Sequence, residues 1–134
     1  MVSVIIPCYN SEKTIGSCLE SILNQTYPYF EFIIINDGST DKSESLIKSF
    51  KDERIVYKKI EKVNFSKALN EGLNIAKYNY IARMDADDIS LPDRFEKQIK
   101  FIVENPDVQV FSSGYALFKN KSISHIHQLP ENDR

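Results

Sequence analysis

The chain has 134 residues, 42% of them hydrophobic and 27% charged, which is enough for one globular domain with a core of its own. A net charge of -2, with 17 Lys and Arg spread along the sequence, argues against nucleic acid or acidic lipid as a partner. No apolar run approaches the ~20 residues of a membrane span, and residues 2–8 follow Met1 without the basic segment of a signal peptide.

The stretch "VSVIIP" (2–7) is a β-branched run closed by Pro7 and reads as a buried strand. In "NSEKTIGSCLESILNQTY", Asn10 or Ser11 can cap a helix whose Ile15, Cys18, Leu19, Ile22 and Leu23 recur at helical spacing, and Pro28 lies beyond its end. A second strand, "FEFIIIND" (30–37), stops at "DGSTD". There Gly38 permits a turn, and Ser39, Thr40 or Asp41 can cap a helix carrying Leu46, Ile47 and Phe50.

"RIVYKKI" (54–60) predicts a third strand and 64–77 a helix with Phe65, Ala68, Leu69, Gly72, Leu73 and Ala76 on one stripe. "YIARMD" (80–85) is a fourth strand, and 91–105 a helix with Pro92 near its first turn. Residues 108–118 predict a fifth strand or strand pair, and the polar remainder a hairpin strand or frayed end. The division this suggests is an α/β domain over 1–118 and a polar hairpin or tail over 119–134.

Four successive strand–helix units predict a mostly parallel sheet with right-handed crossovers. Such sheets bind ligands beyond the carboxyl ends of their strands, near the point where strand order reverses. Asp37 ends strand two, and Asp85, Asp87 and Asp88 end strand four, so the carboxylates stand on that rim. Three acids so close repel one another and call for a compensating cation.

If residues 85–87 are extended, Asp85 and Asp87 face one pocket. Two oxygen ligands without His or Cys suit Mg²⁺ or Mn²⁺, which keep open positions for substrate phosphates. The plainer reading is a solvated acidic loop at the start of the helix near Pro92, with Asp88 or Ser90 at its N-terminus. Asp37 is either a turn acid or an acceptor for a ligand, and Tyr9 either a turn residue or a platform for a flat ring. No Gly-x-Gly-x-x-Gly or Walker pattern follows any strand. His125 and His127 have same-face strand spacing but read as surface residues, and Tyr78 and Tyr80 as packing at a helix–strand junction. Cys8 and Cys18 have neither metal nor disulfide spacing and read as reduced thiols, in keeping with an intracellular protein.

The segments "VSVIIPCYNSEKTIGSCLESILNQTYPYFEFIIINDGSTDKS" and "NFSKALNEGLNIAKYNYIARMDADDISLPDRFEKQI" together resemble the donor-binding part of bacterial family-2 glycosyltransferases. The resemblance runs over residues 2–105. It implies a Rossmann-like GT-A nucleotide-diphospho-sugar transferase fold, truncated at its C-terminus. It implies an inverting transferase of cell-surface polysaccharide biosynthesis that uses a nucleotide sugar, usually UDP-linked, with Mg²⁺ or Mn²⁺. By position, Pro7 and Tyr9 would line the base pocket and Asp37 would accept from the base imide N–H. Asn64 or Lys67 would lie near the base or phosphates, Asp85 on the ribose or sugar side, and Asp87 would ligate the metal. Asp88 would orient the loop, and Arg94 would hold an acidic partner.

The family's general base and most of its acceptor site lie downstream of this D-x-D segment. Glu104, Asp107, Glu131 and Asp133 read instead as a helix end, a turn and a polar tail. The expectation is therefore a donor-binding part whose catalytic base is elsewhere; a stand-alone binding or assembly module is the alternative. The expected partners are a nucleotide sugar and a carbohydrate or lipid-linked acceptor. The expected location is cytoplasmic, with peripheral attachment at the inner face of the cell membrane and weak self-association through uncovered apolar surface.

Overall fold

The computed structural model describes residues 1–119 and 122–128. The elements in chain order are β1 (Val2–Cys8), α1 (Ile15–Leu23), β2 (Phe30–Asp37), α2 (Ser43–Ser49), β3 (Ile55–Ile60), α3 (Phe65–Ile75), β4 (Tyr80–Arg83), α4 (Arg94–Glu104), β5 (Tyr115–Lys119) and β6 (Ser122–His127). The chain divides into two compact units, Met1–Gln98 and Ile99–Arg134.

In the first unit, four strands form a fully parallel sheet in the order β3-β2-β1-β4. The two central strands are buried along their whole length, which explains their richness in Val, Ile and Phe; the buried Ser3 and Glu31 that interrupt them pair with each other, Ser3 Oγ donating to Glu31 Oε1 (2.6 Å). Strand order runs outward from β1 through β2 to β3, and the chain then returns past both to place β4 on the other side of β1. Right-handed crossovers therefore put α1 and α2 on one face and α3 on the other. Helix α3 packs on β1 and β2, where Ala68 joins Ile5, Ile33 and Ile35 in a buried cluster. Gly72 permits this approach, because a Cβ there would run into the Ile5 side chain.

Several elements are shorter than the sequence predicts. The expected α3 stripe is narrower too: Phe65 and Leu73 are about half exposed, while Ala68 and Gly72 are buried. Tyr80, expected to pack, is on the edge strand and 48% exposed. Strand β4 ends at Arg83, two residues early.

In the second unit, β5 and β6 pair antiparallel with a register shift between Leu117 and Phe118. The strand expected over 108–118 is confined to its end: Val108 closes a turn by donating its N–H to the Asn105 carbonyl (3.1 Å), residues 109–114 have no regular structure, and β5 begins at Tyr115. The His127 ring stacks on Tyr115 with centroids 4.7 Å apart, and His125 lies beside His127. Glu131 and Asp133 lie outside the described residues.

Candidate functional site

The carboxyl edge of the sheet opens between β1 and β4. Met84 N–H still donates to the Ile5 carbonyl (3.2 Å), so the odd-numbered residues of β1 turn their polar groups toward β4. The next odd residue is Pro7, which has no N–H to offer. Pairing stops there and the chain of β4 turns away, at the switch point of the sheet where folds of this kind bind ligands. Pro7 is itself buried.

The two loops that leave β1 and β2 are laced together. Asn10, in a left-handed conformation (φ 48°), donates its N–H to Ser39 Oγ (3.1 Å) and accepts from the Thr40 N–H (2.9 Å). Ser11 N–H donates to Ser43 Oγ (2.8 Å) and Glu12 N–H to Asp41 Oδ2 (2.9 Å). Lys42 N–H returns a bond to Glu12 Oε2 (3.0 Å). This network fixes the rim on which Tyr9 and Asp37 stand.

Asp37 is almost completely buried, and both carboxylate oxygens are engaged. Val63 N–H donates to Oδ1 (2.7 Å) and Lys62 Nζ to Oδ2 (2.7 Å). The same ammonium lies 3.6 Å from the centroid of the Tyr9 ring, a cation–π contact. Tyr9, Asp37 and Lys62 thus form one constellation, joined by a lysine that sequence reasoning passed over. Its sequence signal is slight: Lys62 is one of several lysines after β3, and only the fold brings it to Asp37.

The acidic segment does not continue as a strand. Asp88 N–H donates to the Asp85 carbonyl (3.2 Å), making a turn with Ala86 and Asp87 at its corners, so strand alternation does not align Asp85 with Asp87. The compensating cation is Arg83, whose Nη2 donates to both Asp85 oxygens (2.6 and 2.8 Å). Its guanidinium also lies 5.0 Å from the centroid of Phe65 at the start of α3. Loop 61–65 therefore touches both halves of the rim.

Asp87 is exposed, and no ion pair among the described residues involves it. Partial shielding from water, together with the negative charges of Asp85 and Asp87, raises the Asp88 carboxyl above its ordinary range. Among the described residues, Arg94 makes no ion pair with an acid. It donates to Ser90 Oγ (3.0 Å) and to the Arg83 carbonyl (3.1 Å), pinning the turn, while burial lowers its own pKa. Beneath the turn, the Cys18 thiol donates to the Asp85 carbonyl (3.5 Å).

Asn64 caps α3, its side-chain oxygen accepting from the Lys67 N–H (3.0 Å). The Lys67 side chain lines an open groove of about 300 Å³ with Ile60, Glu61, Val63, Asn70 and Glu71, on the flank of edge strand β3. That groove backs onto the Asp37 loop through Val63 and is remote from the β1–β4 edge in the sheet order. Among the described residues, no three His, Cys, Asp or Glu side chains converge as a metal cage. A lone exposed carboxylate suits Mg²⁺ or Mn²⁺ only where substrate phosphates complete the coordination, and Asp87 is such a group.

The sequence matches the family described as Glycosyl transferase family 2 over residues 3–132. The chain belongs to that family. It is similar to glycosyltransferase GlyA of Streptococcus pneumoniae, 37% identical over 130 residues that cover 96% of this chain and 19% of that protein. Among solved structures it is similar to TarS 1–349 of S. aureus in complex with UDP-GlcNAc, with a TM-score of 0.75 and 28% identity, covering 78% of this chain and 32% of that one. It is also similar to the mannosyltransferase PcManGT from Pyrobaculum calidifontis in complex with GDP-Man and Mn²⁺, with a TM-score of 0.71 and 26% identity, covering 78% and 32% respectively. The GT-A-type α/β fold expected of a family-2 glycosyltransferase is the one observed. The chain spans between 19% and 48% of the length of the first curated relatives it matches.

Proposed function

We propose that this chain is the donor-binding part of an inverting glycosyltransferase that takes its sugar from a nucleoside diphosphate, with UDP as the carrier. The observation that carries the reading is the pairing, on one sheet edge, of an aromatic face and buried acceptor (Tyr9 and Asp37) with an acid that no described residue neutralises (Asp87). Two structural neighbours described as complexes with UDP-GlcNAc and with GDP-Man and Mn²⁺ support it.

In this reading, residues 1–118 are the donor-binding domain. Tyr9 and Pro7 flank the base, and Asp37 accepts from its ring N–H. Asn64 or Lys67 lies near the base, on the side of the Asp37 loop, Asp85 toward the ribose or sugar, and Asp88 holds the turn. Asp87 is the residue that would hold Mg²⁺ or Mn²⁺. When bound, the cation offsets the charge of the diphosphate as it leaves. An acceptor hydroxyl, on a carbohydrate or lipid-linked chain, attacks the anomeric carbon from the side opposite the leaving group. Its proton passes to a general base that belongs to the longer protein, and the nucleoside diphosphate departs. No helix among the described residues is long and apolar enough to cross a membrane. Work at the cytoplasmic face of the cell membrane, peripheral attachment and weak self-association are part of the same proposal.

The test is calorimetric titration of UDP with Mn²⁺ and then with EDTA, with GDP as comparison. Metal-dependent binding that favours UDP is the expected result. Failure of every nucleotide to bind would overturn the reading.

A further inference from the structure

The donor reading leaves one feature unused, the ammonium of Lys62. It lies 3.6 Å above the Tyr9 ring, a height close to the optimal carbon–carbon contact of about 3.5–4.0 Å. A flat base stacked on Tyr9 would therefore have its edge at the level of Nζ. The same nitrogen is 2.7 Å from Asp37 Oδ2, so donor and acceptor sit side by side at that level. Lys62 is held there by backbone packing: a Cβ on Gly38 (φ 70°) would lie 2.9 Å from the Lys62 amide nitrogen. Its long stem leaves the ammonium free to slide off the ring centre while keeping Asp37, and an ammonium has three donors of which that bond uses one.

We infer that Lys62 reads the base together with Asp37 and restricts the donor to nucleotides whose base carries an N–H beside a ring carbonyl. This inference rests on the donor-site reading of Tyr9 and Asp37. Uracil meets the pair with N3–H on Asp37 and its C4 carbonyl, the position that carries the amino group in cytosine, on Lys62. Guanine does so with N1–H and the C6 carbonyl. Cytosine and adenine present the reverse, a bare ring nitrogen beside an amino group. That pattern sets a lone pair against the Asp37 carboxylate and an amino group against the ammonium. Asp37 alone would reject the bare nitrogen. Lys62 supplies the second half of the code and also keeps the buried Asp37 charge compensated.

The experiment is titration of UDP, GDP, CDP and ADP, each with Mn²⁺, into the wild-type chain and into Lys62→Met, Lys62→Arg and Asp37→Asn. The wild type should prefer UDP and GDP to CDP and ADP. Lys62→Met should weaken UDP about tenfold, as for one lost charge-assisted hydrogen bond, and leave CDP unchanged. Lys62→Arg should keep most of the preference. Tighter UDP binding by Lys62→Met would overturn the inference, because Lys62 would then only block the ring. So would unchanged UDP binding by Lys62→Met with the preference lost in Asp37→Asn, which would leave the donor reading intact. Absence of base preference in the wild type overturns it without any variant. Absence of all binding removes the donor reading as well.

Discussion

Gly38 and Lys62, 24 positions apart, meet so closely that a Cβ on the glycine would stand 2.9 Å from the lysine amide nitrogen and 3.1 Å from its Cβ. Gly38 is also left-handed, with φ 70°. The turn after β2 therefore needs glycine twice over, for its backbone angle and for the space.

Gly38→Ala should destabilise the fold by about 1–3 kcal/mol, the usual range for a non-glycine residue held in a sparsely populated conformation. Urea unfolding should show a lower midpoint with an unchanged slope. The substitution should also weaken UDP binding, because Lys62 is displaced from Asp37. Wild-type stability in this variant would mean that the loop after β3 can retreat freely.

The turn acids separate by role. Asp87→Ala should abolish Mn²⁺-dependent UDP binding, as the metal role proposed for Asp87 requires, although Asp88 is likewise exposed and likewise outside the ion pairs of the described residues. Asp88→Ala should only weaken it. Calorimetry with and without EDTA distinguishes the two, and equal UDP affinity for wild type and Asp87→Ala would remove the metal role from Asp87.

Asp88 also predicts a pH dependence. Its carboxyl titrates above its ordinary value near 3.8, so over the interval between the two values the folded state binds more protons than the unfolded state. Stability attributable to this group is full below that interval and falls as pH rises through it. Asp88→Asn, which cannot ionise, should be more stable than wild type at neutral pH. The difference should vanish in acid below the ordinary value. Thermal melts from acid to neutral pH measure it, and a gap that widens toward acid would contradict the assignment.

Both cysteines should be inert in the folded chain. Burial, reinforced by the charge of Asp88, pushes the Cys18 thiol up to about 12, and burial raises Cys8 as well. At pH 8 the Cys18 thiolate is then only about one part in 10⁴, and thiolate is the reacting species. Iodoacetamide should label neither residue until urea unfolds the chain. Rapid labelling of Cys18 under native conditions would show that the turn over it opens.

How much of this was readable in advance depends on the range of the interaction. The strand–helix alternation was legible because each element is marked by local periodicity and closed by Pro or Gly. The burial of β1 and β2 was legible because a parallel strand covered on both faces is predominantly apolar, whereas the pairing that lets Ser3 and Glu31 be buried in them was not. Asp37 and the acids at 85–88 were placed on the ligand rim from the same pattern. The failures came where one hydrogen bond outweighs propensity. Strand β4 stops early because Pro7, on the neighbouring strand, has no N–H to pair with it, and the acids then turn instead of alternating.

By itself, then, the sequence determined the parallel sheet and the strand ends at which the carboxylates collect, because hydrophobic period and strand ends are set within a few residues, whereas the order of the strands came only with the fold. Only the tertiary structure decided which cation meets which acid. Lys62 reaches Asp37 across 25 positions. That pairing follows from crossover direction and from the space at Gly38. Arg83 reaches Asp85 because the chain turns where pairing with β1 fails. Charges of either sign look alike along a chain, and folding alone brings a chosen pair within 3 Å.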